Sequence, residues 1–333
     1  MKIVFLGAGS IGCFVGGCWQ VAGMDVVLIG RSAIADQIAE NGLNLSDHTG
    51  WSAALPSTEV NTTIDPAAMS KADLVVVAVK STATHEAGAL IARHAPEKSA
   101  ILSLQNGISN VELLQQALPE HSVLAGMVGF NVVRLGDGRW HKATSGEIIC
   151  QRAVETGRIA ERSSDSASRV HLADDMEAIA WGKLLLNLNN AINALSGLKL
   201  IDQLSNRNYR RVLSASMREA LSVLDSALIE PAKITPLPPR LLPRFIDTPD
   251  WFFKSVGLRL QKIDPQARSS MADDLAAGKT TEIDYLNGEI VKLAEKTGQK
   301  APVNEKIVQL VHQAETGGQT NWGAKELVAE LLL

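Results

Sequence analysis

The chain has no run of eighteen apolar residues and no block of like charge, and it has few aromatic side chains. A membrane-crossing helix needs about twenty predominantly apolar residues, so none is expected. Lys plus Arg number 32 against 36 Asp plus Glu, a formal net charge of -4, which leaves no basic stripe for a nucleic-acid backbone. Aromatics are only 4% of the residues, too few for the stacking platforms of single-strand binding. The three cysteines, Cys13, Cys18 and Cys150, are odd in number and fit neither a disulfide framework nor a zinc-site spacing. The seven histidines include no HExxH and no tight pair, so no metal is expected. The opening stretch Met1 to Gly7 carries one positive residue and an apolar run too short for a secretion signal. These absences lead to the expectation of a reduced, cytoplasmic, metal-free protein.

What the chain does have is 333 residues, 46% of them hydrophobic and 20% charged, enough for a sizeable core and about two domains. Short Val-, Ile- and Leu-rich runs at Lys2 to Leu6, Asp25 to Ile29, Asp73 to Val79, Ala100 to Leu104 and Val123 to Val128 alternate with stretches of helical length such as Ile11 to Ala22 and Thr84 to His94. That alternation reads as βαβ units on a parallel sheet covered on both faces. Arg139 to Ala143 and Gly146 to Cys150 read as two more strands, antiparallel at the sheet edge. From about Ser168 the strand signals stop. Asp174 to Leu195, Arg207 to Leu228, Thr281 to Lys296 and Val303 to Ala314 carry helical periodicity. The expected architecture is α/β: a Rossmann-type doubly wound sheet over residues 1–168, then an all-α domain over 169–333. Six prolines between Pro231 and Pro249 make one connection extended and stiff. That connection and the segment near Gly317 could shape an oligomer interface, a homodimer for instance, or cover a cleft.

Gly7-Ala8-Gly9-Ser10-Ile11-Gly12 matches GxGxxG between an apolar strand and a helix. Gly7 allows the tight turn, Gly9 lets backbone approach a pyrophosphate, and Gly12 lets helix and strand pack closely. The helix start then offers unpaired N–H groups to phosphate. All six residues are candidate cofactor contacts; the plainer alternative is a merely tight strand-to-helix turn. Where an NAD-preferring site commonly has an acidic residue after the second strand, this chain has Gly30-Arg31-Ser32. Arg31 can pair with a 2′-phosphate and Ser32 can add a hydroxyl, so NADPH is the expected cofactor unless Arg31 is simply a solvated loop residue.

Ligands of doubly wound sheets gather at the carboxyl ends of the strands. Two such ends carry polar residues: Val79-Lys80-Ser81 and Leu104-Gln105-Asn106-Gly107. Lys80 and Asn106 are therefore candidates, although Asn-Gly is also ordinary turn chemistry. Further on, Lys183, Asn187 and Asn190 share a helix face, being spaced by four and three. Four Asn residues inside an otherwise strong helix carry a propensity cost that needs a reason. A partly desolvated Lys183 could titrate near neutrality and act as an acid. Glu282 falls within Thr280-Thr281-Glu282-Ile283-Asp284-Tyr285-Leu286-Asn287-Gly288, in the first turn of a helix capped by Thr280 or Thr281. Alone, it could be an ordinary first-turn acid, and Ser269-Ser270 an ordinary polar pair.

Taken together, the GxGxxG, Val-Lys-Ser, Gln-Asn-Gly, Trp181-Gly182-Lys183-x-x-x-Asn187 and Thr-Glu-Ile-Asp-Tyr-x-Asn-Gly segments resemble the ketopantoate reductase (2-dehydropantoate 2-reductase) family over nearly the whole chain. The resemblance implies NADPH-dependent reduction of ketopantoate to pantoate, on the route to pantothenate and coenzyme A. It implies Lys183 as the general acid and Glu282 as the acceptor for the substrate hydroxyl. Asn106 and Asn187 would hold substrate and nicotinamide in register, Lys80 would lie beside the cofactor, and Ser270 would contact the substrate carboxylate. The chain departs from the family pattern at Ala191, where an Asn is common, with Asn190 as the available substitute. It departs again at Ala267, upstream of Ser269-Ser270, where the family often has a substrate-binding Asn. Both differences concern substrate recognition, so reduction of another 2-oxo acid stays open beside ketopantoate. A non-catalytic NADP-binding sensor also stays open, though a sensor has no need of Lys183 and Glu282.

Overall fold

In the computed structural model, which describes residues 1–258 and 267–333, the chain forms two compact units, Met1–Met176 and Glu177–Leu333. The first is organised by apolar runs that become strands: β1 (Lys2–Leu6), β2 (Asp25–Ile29), β3 (Leu43–Asp47), β4 (Ser52–Leu55), β5 (Asn61–Thr63), β6 (Leu74–Val77), β7 (Ala100–Ser103), β8 (Val123–Val128), β9 (Val132–Gly136), β10 (Arg139–Lys142), β11 (Ile148–Gln151) and β12 (Val170–Ala173). Eight of them make one sheet in the order β12-β11-β8-β7-β6-β1-β2-β5. The six strands from β8 to β5 are mutually parallel. Chain order runs outward from β1 through β2 to β5, then returns to β6, so the topological switch lies between β1 and β6.

Residues on these strands alternate between two cores. Ile3, Phe5, Leu74, Val76 and Leu102 join one apolar cluster, while Val4, Leu6, Val75, Val77 and Ile101 join another. Both faces are covered, which is why the strands read as continuous rather than alternating apolar runs.

Three expectations need correction. β10 is not at the edge of the main sheet. It belongs to a second sheet, β4-β3-β10-β9, pairing parallel with β3 and antiparallel with β9. Its Trp140, with Leu43 and Leu45 of β3, packs into the core cluster shared with the helix Ser10–Val21. Only β11 pairs antiparallel with β8, and β12, after Ser168, pairs parallel with β11 as the outermost strand. Strand structure therefore persists past the residue where the sequence texture changes.

Among its described residues the second unit contains helices and no strand. The expected helix Asp174 to Leu195 is two, Met176–Asn187 and Asn189–Ser196, meeting at Leu188. Leu188 keeps right-handed helical dihedrals (φ -56°, ψ -24°) and its N–H donates to the Leu184 carbonyl at 3.0 Å, so the interruption is slight. The expected helix Thr281 to Lys296 instead begins as a 3₁₀ turn, Ile283–Tyr285, and becomes regular only over Asn287–Thr297. Leu286, at φ -118° and ψ -95°, lies outside helical geometry and separates them.

The Pro-rich connection is fastened onto the helix Arg207–Ser226. Arg210 is fully buried and donates to the carbonyls of Leu204 (2.8 Å), Ile246 (2.9 Å) and Thr248 (2.7 Å). It also pairs with Asp250 at 2.9 Å and lies over the Phe253 ring. The Ser214 hydroxyl donates to the Pro243 carbonyl at 2.7 Å. Upstream, the Ala232 N–H donates to the Ala178 carbonyl at 2.8 Å. A Cβ on Gly182 would come within 2.4 Å of the Ala232 oxygen, so this close approach demands glycine.

Candidate active site

At the switch point the glycine motif forms a turn held by β2. The N–H groups of Gly7 and Ala8 both donate to the Ile29 carbonyl, at 3.0 and 2.9 Å. Gly7 has φ +114°, and a Cβ there would lie 2.6 Å from the Val79 nitrogen at the end of β6. A Cβ on Gly12 would sit 2.0 Å from the Gly7 oxygen. Gly9 differs: a Cβ there would meet nothing within 4 Å. It N-caps the helix Ser10–Val21, which has no side-chain cap and no acidic residue in its first turn. Open space in front of uncapped helix N–H groups fits the pyrophosphate of a dinucleotide.

Arg31 and Ser32 follow β2, both exposed, and neither side chain has a hydrogen-bond or ion-pair partner among the described residues. The guanidinium is thus available to a phosphate on the adenosine ribose. Lys80 stands exposed at the end of β6. Asn106 is half-buried in the turn after β7, where Gly107 takes φ +91°.

A buried polar network unrecognised in the sequence supports that turn. The Ser81 hydroxyl donates to the Asn106 carbonyl at 2.8 Å, and the Asn110 amide donates to the same carbonyl and to Ser81 Oγ (3.1 Å). The Thr84 hydroxyl donates to Asn110 Oδ1 at 2.6 Å and accepts from Gln105 Nε2 at 2.8 Å. Buried polar groups that satisfy one another fix a single local geometry. The short polar steps in Lys80-Ser81 and Gln105-Asn106 were the available signal.

In the second unit, Lys183 is half-buried on the helix Met176–Asn187. Burial pulls its ammonium down from the ordinary lysine value to about 8, and the Glu282 carboxylate partly opposes that fall. Glu282 itself is buried, 9% exposed. It does not occupy the first turn of a regular helix, as expected, but precedes the 3₁₀ turn Ile283–Tyr285. Thr281 Oγ1 accepts the Ile283 N–H at 3.2 Å, but Glu282, not Thr280 or Thr281, stands at the cap position of this turn, and Leu286 stands at that of the regular helix.

The four asparagines divide into two kinds. Asn189 exchanges two hydrogen bonds with Gln203, at 3.3 and 3.1 Å. Asn193 is fully buried, donates to the Leu198 carbonyl at 3.1 Å and accepts the Ser269 N–H at 2.9 Å. These two maintain structure. Asn187 and Asn190 are half-buried, and their side-chain amides have no partner among the described residues. Both lie on the Lys183 face, where unengaged amides can take a polar ligand. Ala191 is fully buried, so that position faces the core of the unit. Ser269 caps the helix Ser270–Ala276 and donates to the Asn190 carbonyl at 3.1 Å; Ser270 is exposed and Ala267 half-buried.

The long polar motif around Glu282 is also accounted for. The Thr281 N–H donates to Glu315 at 2.7 Å, Asp284 meets His312 at 2.9 Å, and the Asn287 amide donates to Asn304 at 2.9 Å. Glu219 in turn accepts the N–H groups of Val303 and Asn304 at 2.9 and 2.8 Å. His312, Glu315, Asn304 and Glu219 were not recognisable as site supports, because each acts across a long sequence separation. All three cysteines are free and buried, and burial pushes their thiols up to about 12.

Two family models, described as ketopantoate reductase PanE/ApbA and its C-terminal counterpart, match residues 3–154 and 175–315. The chain belongs to the ketopantoate reductase family. It is therefore an oxidoreductase by kinship. A 2-dehydropantoate 2-reductase of Pyrobaculum aerophilum is 32% identical over 66% of this chain and 71% of that one. The PanE/ApbA family ketopantoate reductase of Ralstonia eutropha JMP134 superposes with a TM-score of 0.81 at 29% identity, covering 95% of this chain and 99% of that one. A D-mandelate dehydrogenase solved with NADH and anilino(oxo)acetate gives a TM-score of 0.76 at 20% identity, covering 95% and 99%. This last likeness is one of fold alone. No described helix of this ketopantoate reductase relative is long and apolar enough to cross a membrane.

Proposed function

We propose that the chain reduces 2-dehydropantoate to pantoate with NADPH, a cytoplasmic step toward pantothenate and coenzyme A. The observation carrying this reading is the Lys183 ammonium, brought down to about 8 by burial against the opposing charge of buried Glu282. Both share a unit with the unpartnered amides of Asn187 and Asn190. In this reading residues 1–168 bind the dinucleotide, and residues 169–333 bind substrate and supply the acid.

Gly7, Ala8, Gly9, Ser10, Ile11 and Gly12 would cradle the pyrophosphate, Arg31 the 2′-phosphate, and Lys80 and Asn106 would lie along the cofactor. NADPH, when bound, supplies the hydride that reduces a carbonyl carbon. Lys183 stabilises the negative charge that develops on the carbonyl oxygen and then delivers its proton there. An ammonium near 8 still holds its proton at neutral pH yet releases it readily. Glu282 accepts a hydrogen bond from the substrate hydroxyl, and Asn187, Asn190 and Asn106 hold the substrate in register. Ser270 contacts its carboxylate.

Buried Ala191, with Ala267 in place of an amide, favours one second reading: the same reduction of a 2-oxo acid other than ketopantoate. NADPH oxidation with ketopantoate and a panel of 2-oxo acids, repeated with NADH, separates the two. Preference for ketopantoate with NADPH supports the proposal, and turnover confined to another acid supports the second reading. Lys183→Ala is expected to abolish turnover and keep NADPH binding; normal turnover would sink the acid assignment.

A further inference from the structure

His312 stands between two carboxylates. Its Nε2 lies 2.9 Å from Asp284 Oδ1 and its Nδ1 lies 3.0 Å from Glu315 Oε2. A carboxylate can only accept, and a neutral imidazole has one N–H. Both bonds are therefore made together only by the imidazolium. The two carboxylates grip the segment that carries Glu282: Asp284 lies two residues after it, and Glu315 Oε1 accepts the N–H of Thr281, immediately before it, at 2.7 Å. On the other side, Lys292 of the helix Asn287–Thr297 donates to the Asp284 carbonyl at 3.1 Å and pairs with Glu289. Asp284 from the turn and Glu315 from its own helix are the charged groups that act on the His312 ring, and together they raise its pKa against the opposing effect of burial.

We infer that His312, as an imidazolium bridging Asp284 and Glu315, is a positioning residue that holds the Thr281–Tyr285 turn and with it the Glu282 carboxylate, whose charge acts on Lys183. The inference rests on the reading of Lys183 and Glu282 as the substrate-handling pair. When His312 loses its proton it keeps only one of the two bonds, so either the tie from the helix to Asp284 or the brace on Glu315, which holds the Thr281 N–H, is lost, and the hold on Glu282 slackens. Substrate binding then weakens while the dinucleotide loop, in the other unit, is untouched.

The test uses the full chain and two variants, His312→Gln, which is uncharged and carries its donors on a single nitrogen, and His312→Lys, which restores the charge. KM for the 2-oxo acid and kcat are measured across pH, the Kd for NADPH is measured separately, and His312 is titrated by NMR. In the parent protein KM should rise as pH passes through the titration of His312. In His312→Gln it should be raised about three- to tenfold at low pH, the loss of one partly exposed charge-assisted bond, and lose that pH dependence. His312→Lys should recover the low-pH value, with NADPH affinity unchanged in both. The inference is overturned if His312→Gln keeps the parental KM profile, or if NMR shows His312 neutral below its ordinary range. If the parent protein turns over no 2-oxo acid, the functional reading fails instead. The NMR titration, together with the shift of Glu282 resonances in His312→Gln, still decides whether the clamp exists.

Discussion

Replacing Glu282 by Gln keeps the size of the side chain and removes its charge. Burial and Glu282 act in opposite directions on Lys183, burial prevailing to leave the ammonium at about 8. With the carboxylate gone, burial acts unopposed and the pKa falls further. Each unit of such a displacement corresponds to about 1.4 kcal/mol of lost support for the charged form. Only the protonated form can donate, and activity is lost as pH rises through this pKa. At pH 8, where about half of Lys183 holds its proton, a displacement of one unit would cut the protonated fraction roughly fivefold. Near pH 6 both proteins would be almost fully protonated. The hydrogen bond lost to substrate would lower kcat/KM by a constant factor across that range, so the two effects separate on one plot. The measurement is kcat/KM against pH, from about 5.5 to 9.5, for parent and variant. A limb that stays near 8, or moves upward, would refute the electrostatic coupling between Glu282 and Lys183.

Arg31→Ala is expected to weaken NADPH binding by roughly ten- to hundredfold with little change for NADH, as read by titration of each cofactor; equal losses would remove the 2′-phosphate role. Gly12→Ala, whose Cβ would sit 2.0 Å from the Gly7 oxygen, should abolish dinucleotide binding or destabilise the first unit by several kcal/mol, about 3 or more. Cofactor titration beside a denaturant melt distinguishes those outcomes. Asn189→Ala should cost about 1–3 kcal/mol by leaving Gln203 buried and unpaired. Asn187→Ala should leave the melting temperature nearly unchanged and raise KM. A reversal of that pair would overturn the division between structural and ligand-facing asparagines.

The sequence made the nucleotide half plain because its signals are local. A glycine motif between a strand and a helix needs no distant partner to be read, and β1, β2 and β8 begin and end where their apolar runs do. The small sheet was harder. β4 has only four residues, and β3 shows only an alternation of buried Leu43 and Leu45 with half-buried Asn44 and Ser46, easily mistaken for a loop. β12, Val170–Ala173, lies at a sheet edge with His171 exposed, so it lacks the continuous apolar run that marked the central strands. In the second unit the cost of four asparagines was visible, but not that Asn189 and Asn193 owe it to Gln203, Leu198 and Ser269. The helix expected at Thr281 was displaced because His312, Glu315 and Asn304, far along the chain, hold the turn in another form. Periodicity reports what one segment wants to bury, and those bonds belong to partners it cannot name.

A surface connection as long as 231–249 is ordinarily where a chain tolerates new ends, insertions and proteolytic nicks. Here two of its carbonyls and one from a neighbouring helix converge on a single buried guanidinium, that of Arg210. Cutting or lengthening the segment near Ile246 would strand a desolvated cation. A circular permutant or a fused reporter opened at that point should therefore be recovered as insoluble protein, whereas the exposed turn at 317–318 offers a safer place to reopen the chain.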